Sequence, residues 1–264
     1  MATDDTERRT ITSVDRAIGV LEELRRLDGA TLSELADEVE LSKGALHTHL
    51  ATLREHGFVE HRGDSYALGQ QFLTFGEYVR NSRPLYRAAK SEVDELAMKT
   101  GECVHLHTEE NGMESPLYES FGERAVGREL FMKNREQMGR HLHYSAVGKA
   151  ILSEFDEDEL DALLDQHGLP ERTRHTITDR EEFEAELERV RERGYAVNDE
   201  EDLLGIRAVG SPIVGPDGEV LGGLSISAPA SRMEGERFTE ELPRMVKEYA
   251  NIIEVNLQTG DGYA

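Results

Sequence analysis

The chain has no tryptophan, a single cysteine and no long uninterrupted apolar run. One thiol, Cys103, cannot form an internal disulfide, so burial must hold the fold and a reducing compartment is expected. Without about 18 consecutive apolar residues there is no candidate membrane span. The opening residues, MATDDTERRT, lack the apolar stretch of a secretory signal, which points to the cytoplasm. Internal repeats and low-complexity segments are also missing. Basic charge is scarce and carried mainly by arginine: 30 Lys and Arg face 54 Asp and Glu, a formal net charge of −24. At 264 residues there is room for one or two domains with a proper core.

The acids form no contiguous tail; they are spread over every predicted helix face. A dense, dispersed carboxylate surface keeps a protein hydrated in concentrated salt, and the pattern resembles that of proteins from salt-accumulating archaea. Such a composition argues against nucleic-acid binding, which ordinarily uses a basic surface. One window departs from it. Between Leu41 and Arg54 there is no acid, and the window holds Lys43, His47, His49 and Arg54. A surface that meets phosphates must exclude carboxylates.

That window lies inside TLSELADEVELSKGALHTHLATLREHG, residues 31–57. Thr31 is a candidate N-cap with Glu34 completing a capping box. Leu32, Leu35, Ala36 and Val39 then share one helical face. Ser42 is a second N-cap, Leu46, Leu50 and Leu53 form the next apolar stripe, and Gly57 suits a helix C-terminus. Two short helices joined by a tight turn make a helix-turn-helix, whose second helix would enter the major groove. Upstream, residues 13–27 read as a first helix with Val14, Ala17, Ile18, Leu21 and Leu24 facing a core. Downstream, FVEHRGDSYAL alternates around an Arg62-Gly63-Asp64-Ser65 tip and predicts a hairpin, the wing of a winged helix. The candidate DNA contacts are Thr31, Ser42, Lys43, Gly44, Ala45, His47, Thr48 and Arg54, with Arg62 on the wing. In strong salt, counterion release is a weak driving force, so base contacts and dimer avidity must carry more of the affinity.

Residues 11–76 are thus expected to form the winged helix and 77–101 a connecting helix, with Pro84 in a first helical turn and Gly101 at an end. From residue 102 the period changes to two. ECVHLHTEE and SPLYESFG read as strands joined by an Asn111-Gly112 turn. GYAVND, RAVGSPIV and EVLGGLSISAP read as further strands, with helices over 145–154, 156–167, 179–193 and 238–257. A mixed antiparallel sheet flanked by helices is an α+β sensor architecture over 102–260.

Three segments carry a family resemblance: LSKGALHTHLATLREHGFVE, LHYSAVGKAIL, and GYAVNDEEDLLGIRAVGSPI followed by GGLSISAP. In this order and spacing the chain resembles the IclR family of transcriptional regulators from about residue 10 to 257. The resemblance implies an α+β chain: a winged helix-turn-helix domain joined by a helix to a GAF-like effector-binding domain. It also implies a double-stranded DNA operator, a small-molecule effector (often an organic acid, a sugar breakdown product or an aromatic), and a homodimer or homotetramer. By the family pattern the effector pocket takes Ser145 and Ala146, with Gly148, from the Ser-Ala-x-Gly segment, and Ser225 and Ser227 from the last strand. Where the family has an Asp this chain has Asn198, and where it has a Cys this chain has Ala208. Both departures predict a more neutral pocket that accepts a carboxylate more easily. His107 and Arg128 are further candidate donors to an anion, on charge alone.

No cofactor is expected. Gly122, Gly127, Gly139 and Gly148 lack a phosphate-binding spacing, and Lys149 lacks the upstream glycine loop of a nucleotide site. No catalytic constellation stands out, so the chain reads as a regulator and not an enzyme. Two His-x-His pairs, His105/His107 and His141/His143, would each place two imidazoles on one strand face, a spacing that can bind zinc. A polar strand or core histidine is the commoner explanation, and no metal is assigned. The competing readings are a catalytic or metal-binding sensor and a constitutive architectural DNA binder.

Overall fold

A computed structural model describes residues 10–126 and 140–260, and the chain divides into two compact units, Met1–Arg80 and Asn81–Ala264. In the first, α1 (Thr12–Arg26), α2 (Leu32–Glu38) and α3 (Lys43–Glu55) surround Val20, Leu24, Leu35, Leu46 and Leu50, all essentially inaccessible. The Thr31 hydroxyl accepts from the Glu34 amide while the Glu34 carboxylate accepts from the Thr31 amide, a complete capping box on α2. Ser42 caps α3 through the Ala45 amide. Strands β2 (Val59–Arg62) and β3 (Ser65–Leu68) form the wing, with β1 (Ala30–Thr31) adding a third strand against β3 that the sequence did not announce.

The expected core face of α1 is corrected: Val14 and Ile18 are half exposed, while Val20 and Leu24 are buried. At 100° per residue Val14 and Ile18 lie roughly a third of a turn away from the face that meets the core. The connecting segment holds two helices, α4 (Gln71–Ser82) and α5 (Pro84–Thr100), with Pro84 in the first turn of the second. Arg83 is extended because a proline ring disfavours helical backbone before it.

Among the described residues, the second unit is built on six strands: β4 (Cys103–Glu110), β5 (Met113–Phe121), β6 (Arg140–His141), β7 (Ala196–Asp199), β8 (Ile206–Val214) and β9 (Val220–Pro229). Their order is β6-β5-β4-β9-β8-β7, and every pairing is antiparallel rather than mixed. Asn111 and Gly112, both at positive φ, close the β4–β5 hairpin with Glu110 opposite Met113. Strand alternation then sorts the side chains. Val104, Leu106, Leu224 and Ile226 face α5 and the C-terminal helix α9 (Leu242–Thr259) in the main core. His105, His107, Ser225 and Ser227 are turned to the other face.

That other face is covered by α6 (Ala146–Leu152), with α7 (Glu157–His167) and α8 (Arg180–Arg193) around it. The helix α6 approaches closely because glycines permit it. A Cβ on Gly210 would lie 2.7 Å from the Ala146 carbonyl oxygen, and one on Gly148 would lie 2.1 Å from that of Leu142. Both obstacles are backbone and cannot rotate away. Gly148→Ala is therefore expected to lower stability by roughly 2–4 kcal/mol; denaturant unfolding measures it, and an unchanged midpoint would contradict this packing.

Candidate functional site

The first unit presents an exposed helix face without acids. Ser42, Lys43, Gly44, His47, Thr48 and Arg54 are exposed on α3 and Ala45 is half-buried beneath them. The first turn of α3 holds no carboxylate and the last carries Arg54. Lys43 donates from Nζ to Ser33 Oγ at 3.1 Å, a neutral partner that a phosphate can displace. The Thr48 hydroxyl donates to the Gly44 carbonyl, so it offers an outside group its oxygen more readily than its proton. Thr31 and Ser42 have their hydroxyls engaged in caps. At the wing tip Arg62 is exposed but paired with Glu60.

In the second unit, His107, Ser145, Ala146, Asn198, Ala208, Ser225 and Ser227 all line one cavity. Arg128 lies outside the described residues. The wall also includes His105, Glu114, Arg140 and Asp202, which the sequence reading did not place there. The unfilled space is about 370 Å³, yet the centre of a water molecule can reach only about 30 Å³ of it, so an occupant must be small.

Beside the neutral Asn198 and Ala208, the cavity wall carries charged groups. His107 Nδ1 lies 2.7 Å from Glu114 Oε1, and Ser145 donates to the other Glu114 oxygen. His105 Nδ1 is 2.9 Å from Glu119, and its Nε2 is 2.7 Å from the Ser227 hydroxyl. Arg140 donates to Asp202 at 2.6 Å and stands 3.8 Å from Glu114. Burial would push the Glu114 carboxyl up, but Arg140 and His107 override it and bring it down to about 2. Burial would push His105 down; Cys103 and Glu119 beside it reverse this, up to about 9. Asn198 Oδ1 accepts from the Glu201 amide and holds the turn after β7, so its oxygen serves the backbone.

The two carboxylates reach the histidines through an irregularity in β5. Positions 114 and 119 are five apart and would point to opposite faces of a regular strand. Leu106 pairs with Tyr118 but His107 pairs with Pro116, so β5 carries one extra residue between them. The bulge reverses the alternation and turns both acids toward the imidazoles. Glu114 was within reach of the sequence, because the Asn111-Gly112 turn sets it opposite Glu109, on the His107 face. Glu119 was not, since the same register without a bulge sends it to the core face. Arg140, beside the His-Leu-His segment, carried no signal.

His141 and His143 do not share a strand: β6 ends at His141, and His143 lies in the single 3₁₀ turn Leu142–Tyr144. Lys149 is buried within 2.7 Å of Glu201, a structural ion pair.

The description "Bacterial transcriptional regulator IclR C-terminal" fits residues 77–255, and "IclR helix-turn-helix domain" fits residues 13–63. The chain is 41% identical to a probable HTH-type transcriptional regulator ArcR of Halobacterium salinarum, over 98% of both chains. It is 31% identical to the acetate operon repressor of Salmonella typhimurium over 87% of this chain and 84% of that one. The crystal structure of the Thermotoga maritima IclR superposes with a TM-score of 0.79 at 28% identity, covering 94% of this chain and 99% of that one. The fold and these likenesses define a DNA-binding transcriptional regulator with a C-terminal effector domain. The chain belongs to the IclR family. No described helix is long and apolar enough to cross a membrane.

His143 yields a pH prediction. Burial, with only the Pro170 carbonyl as a 3.1 Å partner and His141 and Lys149 nearby, pushes it down to about 4. A depressed histidine favours folding when neutral. Its contribution is complete above about pH 6.5 and is lost as pH falls toward 4. His143→Gln should remove part of the acid destabilisation between those values in pH-dependent thermal unfolding; an unaltered acid limb would exclude the assignment.

Proposed function

We propose that the cavity binds the effector, a small organic or sugar acid, and that its occupancy controls how a homodimer or homotetramer holds a double-stranded operator. Residues 11–76 would read the DNA and residues 102–260 sense the acid, in a cytoplasm rich in salt. The observation that carries this reading is convergence. Seven residues singled out for an effector come from β4, β7, β8, β9 and the start of α6, and line one small cavity. The Arg140 guanidinium, the His107 Nε2 and the Ser225 hydroxyl offer donors to a carboxylate there.

Dimerisation is favoured by apolar surface on the first unit. Ile11, Val14 and Ile18 of the α1 region and Leu73, Phe75 and Val79 of α4 are each about half or more exposed. Large apolar side chains left exposed on two helices are available for burial against a second copy.

For the effector, a thermal-shift screen of small acids on the full chain at high salt is the test. An acid at a hundred times its dissociation constant stabilises by about 2.7 kcal/mol, and Ser225→Ala should weaken that acid at least about tenfold. Silence across a broad panel would remove the reading. For DNA, footprinting at native salt should show a few palindromic sites, matching two half-sites of a symmetric dimer. Lys43→Ala combined with His47→Ala should cost roughly tenfold or more in affinity and flatten the salt dependence. Sites that persist in the double variant would move the contact surface away from α3.

A further inference from the structure

The cavity contains a carboxylate that competes with any acid entering it. Arg140 and Asp202 both line the wall, and their side chains are 13% and 14% exposed. Arg140 Nη2 donates to Asp202 Oδ2 at 2.6 Å. Glu114 also approaches the guanidinium, but it stands 3.8 Å from Nε, and its two oxygens are engaged by His107 and the Ser145 hydroxyl. Among the described residues, Asp202 is therefore the carboxylate that hydrogen-bonds Arg140.

That pair leaves both partners short of their best geometry. A guanidinium can meet a carboxylate through two parallel N–H donors. Asp202 takes one. Its other oxygen, Oδ1, faces a second cation, with Arg172 Nε 3.9 Å away and beyond hydrogen-bond reach. Arg172 is 43% exposed, and among the described residues no other carboxylate stands within 4.0 Å of it. The loop that carries Asp202 is pinned on either side. The Glu201 carbonyl accepts from the Thr176 hydroxyl at 2.8 Å, the Glu201 amide donates to Asn198 Oδ1 at 2.9 Å, and the Ile206 amide donates to the Leu203 carbonyl at 3.1 Å. Asp202 can exchange Arg140 for Arg172 by rotating its side chain, with the loop anchors left in place.

We infer that Arg140 is the carboxylate subsite of the cavity and that Asp202 fills it in the unliganded chain as an internal competitor. This rests on the reading of the cavity as an acid site; it names the group that takes the acid and the group that sets its affinity. A free monocarboxylate displaces Asp202 from Nη2 and accepts from two guanidinium N–H groups where the tethered side chain accepts from one. Asp202 moves to Arg172. One carboxylate replaces another, so the guanidinium is never left buried without a counter-charge. A neutral alcohol or sugar cannot make this exchange, because it would strand the cation. Asp202 thus selects for anions as well as weakening them.

The test is calorimetric titration of the full chain with sodium acetate and with sodium glycerate, at high salt and constant sodium. Asp202→Asn should tighten both acids by about tenfold or more, since it removes a negative charge beside the subsite. The same variant should melt at a lower temperature without acid, having lost its ion pair. A residue with a structural role alone would give the second effect and not the first. Arg172→Gln changes an exposed side chain and carries the test if Asp202→Asn does not fold, as judged by circular dichroism. It should weaken both acids by about threefold in the unaltered chain and lose most of that effect when combined with Asp202→Asn. Acids that bind the unaltered chain and Asp202→Asn equally well would overturn the inference and leave the effector reading intact. So would acid binding that survives Arg140→Gln. Silence of acetate and glycerate on both the unaltered chain and Asp202→Asn also overturns the inference, while the effector reading then stands or falls on the wider acid panel. Binding detected only in Asp202→Asn supports the internal competitor.

Discussion

Ionised groups withdrawn from water must be matched at close range, and the sensing unit is organised around that constraint. In a chain with a net charge of −24 nearly every carboxylate can stay solvated. The few that do not are each met by a cation or an imidazole: Glu114 by His107 and Arg140, Glu119 by His105, Glu201 by Lys149, and Glu102 by Arg232 and Arg237. Removing one partner of such a pair typically costs about 3–5 kcal/mol, so the network fixes the positions of β4, β5, β6 and the turn after β7 together. The cavity is what remains where these side chains converge without filling the space. On the proposed reading, recognition and stability draw on the same groups, and an occupant that replaces one partner must supply its charge.

The DNA-reading unit handles charge in the opposite way. Its acids lie on α1, α2, the connections, the wing and the last residue of α3, with Glu38 and Glu60 paired with Arg26 and Arg62. The face of α3 keeps short polar side chains, two imidazoles and isolated cations. In concentrated salt such a face gains little from phosphate neutralisation. It is better suited to base-edge contacts made at short range from a helix seated in the groove.

Much of this was legible because the local rules and the fold agree. The Thr31 capping box, the Ser42 cap, the Asn111-Gly112 turn and the alternation of LSIS in β9 each act within a few residues, and each formed as its residues dictate. The convergence of Ser145, Asn198, Ala208 and Ser227 came from the family pattern, which encodes spatial neighbours that no local rule reveals. What stayed hidden was non-local. The face of α1 depended on where α2, α3 and β3 would sit, so periodicity alone chose Val14 over Val20. Asp202 and Arg140 are ordinary charged residues in a chain full of them, and only the pairing of distant segments makes them neighbours. Asn198 and Ala208 spoke only for their own two positions; Glu114, on the cavity wall, arrives from a strand whose register was not known.

The extra residue in β5 also bears on how the sheet finds its register. Without it, Glu119 would project beside Val104 into the apolar layer between the sheet and α5, away from the two histidines. A hairpin zipped up in the uninterrupted register from Asn111-Gly112 would bury a bare carboxylate in hydrocarbon, a state several kcal/mol above the observed one. The acid therefore acts as a proofreading element. It tolerates only the pairing that brings it to the histidines, and it ties completion of the β4–β5 hairpin to assembly of the cavity. A chain whose hairpin has slipped cannot present half a sensing site, because the slip itself is what the core rejects.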